Sequence, residues 1–172
     1  MTDNKNEMLP VVDAEGNVIG STTRAIAHGG SMLLHPVVHL HVFNSKKELY
    51  LQRRPAWKDI QPNKWDTACG GHIDLGEELH TALMREVREE LGISAFEPRF
   101  ITRYVFESQC EKELVNVFTT IYDGEVSPSE ELDGGKFWSI DEISQSIGKG
   151  VLTPNFENEF KTIILPHVIA EM

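Results

Sequence analysis

Apolar and polar positions alternate through "HPVVHLHVFN" (35–44), and its β-branched content predicts a strand. After the polar turn "NSKK", "ELYLQRR" (48–54) repeats the pattern, so the two predict a hairpin. An earlier hairpin is predicted in "LPVVDAEGNVIG" (9–20), around a turn at Ala14 to Gly16. Pro55 to Lys64 has two prolines and no apolar period, so it is expected as a loop, and "KWDTACGG" (64–71) as a short strand entering a double glycine. The period then lengthens: Leu79, Leu83, Val87 and Leu91 lie four apart, which predicts a helix over Glu77 to Leu91 ended by Gly92. "RFITRYVFE" (99–107) and "ELVNVFTTIYD" (113–123) read as strands about the turn "SQCEK", and "GGKFWSI" as a shorter one. Two helices are expected at the end, Ile140 to Ile147 and Pro154 to Ile169, the second capped by Thr153. Phe156, Phe160, Ile163 and Ile164 fall on one face of it, which suits a homodimer as well as a core, while Trp65 and Trp138 are expected in the core. Strands interleaved with few helices predict an α/β fold, a mixed sheet sandwiched between helices, in one domain. That domain spans residues 9–172 after a polar leader at 1–8.

Composition narrows the partners. Lys and Arg number 16 against 27 for Asp and Glu, a formal net charge of -11, so the surface field repels polyanions and argues against a nucleic-acid polymer. A small-molecule diphosphate remains compatible if cations neutralise it. No apolar run approaches the roughly 20 residues that cross a bilayer, which argues against a membrane partner. The two cysteines, Cys69 and Cys110, have no CxxC or disulfide-scaffold spacing and no signal-peptide pattern precedes them, so a reducing cytoplasm is expected.

One local pattern works against simple stability. Glu77, Glu78, Glu86, Glu89 and Glu90 crowd onto and just ahead of the predicted helix. At about 100° per residue, Glu86, Glu89 and Glu90 project within one narrow arc. An acidic run is ordinarily a solvated face, but three carboxylates this close raise one another's pKa unless oxygen-seeking divalent cations sit among them. Gly70 and Gly71, just ahead, allow backbone to approach a ligand closely, and Arg85 can pair with Glu77, Glu78 or Glu89 without occupying the metal face.

From Gly71 the chain fits G-x5-E-x7-R-E-U-x-E-E-x-G-U at Gly71, Glu77, Arg85, Glu86, Val87, Glu89, Glu90, Gly92 and Ile93, where U is a bulky aliphatic. This resembles the signature of the Nudix hydrolase family. The resemblance implies a Nudix fold, Mg2+ or Mn2+ as cofactor, and hydrolysis of a nucleoside diphosphate linked to another moiety. It further implies Glu86, Glu89, Glu90 and the Gly71 carbonyl as metal ligands, Glu89, Glu86 and Arg85 as the catalytic group, and Glu77 and Gly70 in support. A diphosphate resists attack because its oxygens are already negative; clustered metal ions neutralise them and present hydroxide, and no nucleophilic side chain is required.

A second resemblance lies outside that box. "AHGGSMLLHPVVHLHVFN", "LYLQRR", "WDTACGGH" and "EKELVNVF" are similar to segments of type I isopentenyl-diphosphate isomerase, a relative within the superfamily. That similarity implies a second metal site at His28, His35, His72, Glu111 and Glu113. Isomerase chemistry needs a protonating Cys immediately before the Gly-His pair, where this chain has Gly70; Cys69, one residue earlier on a strand, is expected to face the other side. The reading is therefore a metal-dependent diphosphate hydrolase of the isomerase-like subgroup. The alternatives are isopentenyl-diphosphate isomerase and a non-catalytic nucleotide-binding regulatory module, whose sign would be lost box carboxylates. Arg53, Arg54 and Lys58 are candidate substrate-binding cations, with at most one of the adjacent arginines pointing into the site. Glu130 and Glu131 are candidates for an extra acidic group near the metals, while His39, His41 and Cys110 receive no role.

Overall fold

The computed structural model describes residues 6–58 and 60–172. Most of the expected leader therefore lies outside the described residues, and strand β1 (Met8–Val12) already includes Met8. It pairs antiparallel with β2 (Val18–Thr23) as the predicted first hairpin. A helical turn that the periodicity did not predict follows, α1 (Arg24–Ala27), capped by Thr23, whose Oγ1 accepts from Ile26 N–H at 3.3 Å; it delivers His28 as its C-cap.

The main sheet contains β3 (Leu34–Phe43), β4 (Leu49–Arg53), β5 (Trp65–Thr67), β6 (Cys69–His72), β7 (Arg99–Glu107), β8 (Lys112–Ile121) and β9 (Gly135–Trp138). Its order is β5-β4-β3-β8-β7, with β6 beside β3 and β9 beside β4. The predicted β3–β4 hairpin is joined only at its base, Phe43 opposite Leu49, because β6 takes the β3 edge from Val37 to Leu40 and β4 turns to β5 and β9. On its other edge β3 runs parallel to β8 along its whole length, which makes the sheet mixed.

Helix α2 (Leu79–Leu91) begins two residues later than expected, since Glu77 sits in a turn closed by its N–H on Asp74 O at 3.0 Å and Glu78 is the extended N-cap. Gly92 ends it at φ 67, a left-handed conformation that glycine adopts without a Cβ penalty. Leu83, Val87 and Leu91 are buried against Val38, Leu40 and Cys69 on one sheet face, each contributing about 1.5–3 kcal/mol of burial.

The other face is covered by α3 (Ile140–Ser146) and the C-terminal helical rod, with Val37, Val115, Val117 and Phe43 beneath. That rod is not uniformly α-helical. It runs as α4 (Pro154–Glu159), a π-helical turn at Phe160–Ile164, and α5 (Leu165–His167). Pro166 has no N–H for the ordinary i−4 bond, and Leu165 N–H reaches back five residues to Phe160 O. Phe156, Phe160, Ile163 and Ile164 are buried within this chain's own core, so that face is not presented to a partner. Trp65 and Trp138 pack edge to face at 5.3 Å; Trp138 is in the core as expected, while Trp65 is half-buried at its margin.

Candidate functional site

Packing the apolar row of α2 on the sheet turns its acidic arc toward β6. The side chain of Glu89 is 55 % exposed and that of Glu86 only 14 %. A Cβ on Gly71 would lie 2.5 and 2.6 Å from the two Glu86 carboxylate oxygens, so glycine there is what lets strand and carboxylate meet. Gly71 has no positive φ, so space rather than backbone conformation requires it.

Arg85 ties the acids together. Its guanidinium donates to Glu77 at 2.7 and 2.8 Å in a bidentate fork, to Glu86 at 2.8 Å, to Glu89 at 3.4 Å and to the His72 carbonyl at 3.2 Å. Pairing with Glu77 and Glu89 is as expected, Glu86 is an additional partner, and Arg85 itself does not line the carboxylate cleft of Glu86, Glu89 and Glu90. Its hydrogen bonds keep the Glu77 carboxyl below the ordinary range.

Two backbone bonds, Ser127 N–H to Leu91 O at 2.9 Å and Ser129 N–H to Glu90 O at 2.8 Å, fasten the following loop to the end of α2. Glu130 and Glu131 thereby join Glu86, Glu89, Glu90 and Ser129 around a cleft of about 410 Å3. Burial, reinforced by the charge of Glu86, pushes the Glu90 carboxyl up to about 8; burial also lifts Glu86 to about 6 against the pull of Arg85. A cleft lined by five carboxylates, of which Glu86 and Glu90 resist ionisation, fits divalent cations, which would stabilise the charged forms of those two.

A second cluster forms on the opposite face of β6. His28 Nε2 lies 3.1 Å from His72 Nε2 and 3.2 Å from Glu111 Oε2; His35 Nε2 lies 3.7 Å from Glu111 and 3.9 Å from Glu113. All five residues implied by the isomerase resemblance are brought together, by α1, by β6 and by the parallel β3–β8 pairing that sets His35 beside Glu113. His35 Nδ1 faces the Leu33 carbonyl at 3.1 Å, and a carbonyl only accepts, so Nδ1 carries the proton. Burial holds this imidazole below its ordinary pKa, leaving Nε2 as a buried lone pair without a hydrogen bond. Burial likewise pulls His72 well down, and with the Glu111 charge lifts Glu113 to about 7. The unpartnered Nε2 of His35, its ring oriented through the other nitrogen, together with the neighbouring imidazoles and carboxylates makes a donor set that fits a divalent metal.

A family model described as the NUDIX domain matches residues 33–156, a span that contains both β6 and the Glu-rich helix. The chain belongs to the Nudix domain family. Over 172 residues this Nudix chain is 30% identical to isopentenyl-diphosphate Delta-isomerase 1 of Photorhabdus laumondii, covering 94% of this chain and 97% of that protein. It is 31% identical over 132 residues to an uncharacterized Nudix hydrolase of Pseudomonas aeruginosa, covering 76% and 78%. Among solved structures, DR0079 from Deinococcus radiodurans superposes with a TM-score of 0.76 at 23% identity, covering 90% of this chain and 98% of that one, a likeness of fold. The MutT protein from Methanosarcina mazei Go1 gives 0.64 at 27% identity, covering 74% and 91%. The Nudix fold expected from the sequence is thus the observed one.

Within this Nudix site Cys69 occupies a regular register, opposite Leu40, so it faces α2 and Glu90. Burial and the carboxylate charges of Glu90 and Glu86 drive its thiol far above the ordinary range. The substrate-binding candidates lie elsewhere. Arg54 donates to the Ile60 carbonyl at 3.0 and 2.8 Å and pairs with Asp66 at 3.5 Å, bracing its loop. Arg53 pairs with Asp133 at 3.5 Å and Lys58 stacks over Trp57 at 4.8 Å; none of the three lines the carboxylate cleft.

Sequence reasoning missed one group. His39 and His41 converge on Glu159, which is fully buried at the end of α4, with Tyr104 donating to the same carboxylate at 3.3 Å. The i, i+2 histidines sharing one face of a predicted strand were the available signal, but their partner lies 120 and 118 residues away.

Proposed function

We propose that the chain is a metal-dependent hydrolase that cleaves the diphosphate linkage of a nucleoside diphosphate-X or related diphosphate by attack of water. The observation that carries this reading is the cleft in which Glu86, Glu89 and Glu90 converge, with Glu86 seated against the missing side chain of Gly71. Glu86, Glu89, Glu90 and the Gly71 carbonyl would hold Mg2+ or Mn2+. Bound there, the ions supply charge neutralisation at the diphosphate oxygens and acidify water. Glu77 fixes Arg85, and Arg85 in turn orients Glu86 and Glu89. The exposed Glu89, whose contact with Arg85 is the longest of the set, has the freedom to take a proton from water. His28, His35, His72, Glu111 and Glu113 would hold a second metal on the far face of β6.

A second reading, isopentenyl-diphosphate isomerisation, is favoured by that assembled His/Glu cluster and by full-length similarity to a protein of that name. Against it, Gly70 supplies no acid on the cluster's side of β6, and Cys69 is turned into the α2 interface. The deciding experiment is phosphate or mononucleotide release from a panel of nucleoside and isoprenoid diphosphates with Mg2+ or Mn2+, comparing wild type with Glu89→Gln and Glu90→Gln. Metal-dependent turnover that falls about a hundredfold or more in the variants supports the hydrolase. Tight ligand binding without turnover points to a regulatory module, and double-bond isomerisation of isopentenyl diphosphate points to the isomerase.

A further inference from the structure

The buried network around Glu159 belongs to neither metal-ligand set. His39 Nδ1 lies 2.9 and 3.2 Å from its two oxygens, His41 Nε2 at 3.3 Å and Tyr104 Oη at 3.3 Å. A carboxylate this buried stays ionised only beside a counter-charge. Burial, the largest influence on the His39 ring, pulls its pKa down, but the charge and hydrogen bond of Glu159 outweigh it and lift the ring to about 9; Glu113 on β8 and Asp66 on β5 add to this. His39 is the counter-charge, with one proton on each ring nitrogen.

The Nδ1 proton goes to Glu159. The Nε2 proton has no acceptor among the described residues, and the Cδ2–Nε2 edge of the ring lies beside Gly70. Gly70 stands opposite His39 in the β3–β6 register and is exposed although it lies within a strand. A Cβ there would lie 3.3 Å from His39 Cδ2 and 3.6 Å from Nε2. Gly70 has no positive φ, so its backbone does not demand glycine; what the missing side chain leaves is space beside the His39 ring, a side chain that is 11 % exposed. His72, two residues along β6, shares that side, so the opening borders the His/Glu cluster.

We propose that His39 is an anion-binding residue whose Nε2–H is donated through the Gly70 opening to a phosphoryl oxygen of the ligand, with Glu159 as the positioning residue that holds the ring. The inference rests on the diphosphate reading above and adds a contact on the far face of β6 from the Glu-rich helix. It names the ligand chemistry as phosphoryl rather than carboxyl or neutral because the adjoining cluster of imidazoles and carboxylates is suited to a metal that shares phosphoryl oxygens.

The test uses the full chain with Mg2+ and methylenediphosphonate, a diphosphate that is not hydrolysed, followed by calorimetry and by 15N resonances of the histidine rings, alongside the hydrolysis panel. The expected result is a shift of the His39 Nε2 resonance on binding and a Kd raised about tenfold or more in Gly70→Ala, which covers the ring, and in Glu159→Gln, which removes its counter-charge. Wild-type binding and hydrolysis with an unmoved His39 resonance, and both variants within about twofold of wild type, would overturn the role of His39 and leave the hydrolase intact. Absence of both binding and hydrolysis in the wild type overturns both. If Glu159→Gln does not fold, Gly70→Ala and the wild-type resonances decide.

Discussion

Replacing Gly71 by alanine adds one methyl group where strand β6 and Glu86 meet. The new Cβ would stand 2.5 Å from one carboxylate oxygen and closer still to the carboxyl carbon, and ordinary contact begins at 3.4 Å, so the carboxylate must retreat by about 1.2 Å. The displaced group is the far end of a flexible side chain, and the backbone conformation accepts alanine, so the fold should lose no more than about 1 kcal/mol, about 2–4 °C in Tm. Catalysis is less forgiving, because a displacement of about 1 Å in a positioned group can cost about a hundredfold. The expected outcome is kcat/KM lowered about a hundredfold with weakened Mg2+ affinity and a nearly unchanged melting curve, measured on the best diphosphate of the panel. Activity within about threefold of wild type at unchanged metal affinity would show that Glu86 is not held against Gly71 for catalysis. A large fall in Tm would show instead that this contact is structural.

Further outcomes follow from the titrating groups and the caps. A divalent cation must displace protons from Glu86, Glu90 and Glu113, held up at about 6, 8 and 7, so apparent Mg2+ affinity measured by calorimetry should rise steadily from pH 6 to 8; a flat profile would contradict ligation by these groups. The raised His39 pKa gives stability that is complete below its unfolded value of 6.5 and lost as pH climbs through about 9, while the lowered Glu159 pKa gives stability present above 4.5 and lost below it. Wild type should therefore lose more Tm between pH 6.5 and 9 than His39→Gln, and equal losses would refute the pairing. Glu159→Leu leaves two buried histidines without their acceptor and should cost about 3 kcal/mol, roughly 6–12 °C by calorimetric scanning. Gly92→Ala forces a Cβ into the left-handed region and within 3.2 Å of Ser127, so chemical denaturation should report a loss of about 1–2 kcal/mol.

The sequence by itself determined the parts that depend on neighbours a few residues away. Period-two alternation located β3 and β4, and the four-residue row from Leu79 placed α2, because strand and helix geometry are local repeats. Glu86, Glu89 and Glu90 were readable as one carboxylate face for the same reason: one helical turn fixes their relation wherever the helix docks. Tertiary structure alone decided the rest. Whether β3 would pair with β4 or give its edge to β6 and β8 depended on closing long loops against the burial of two whole sheet faces, which no short window contains. That choice put the carboxylate cleft and the His/Glu cluster on opposite faces of one four-residue strand. It also carried Glu159 across 120 residues to His39, a contact whose only local trace is a pair of histidines spaced like core residues. Periodicity fixes which face a residue takes on its own element, but the partner of that face is set by the packing of the entire chain.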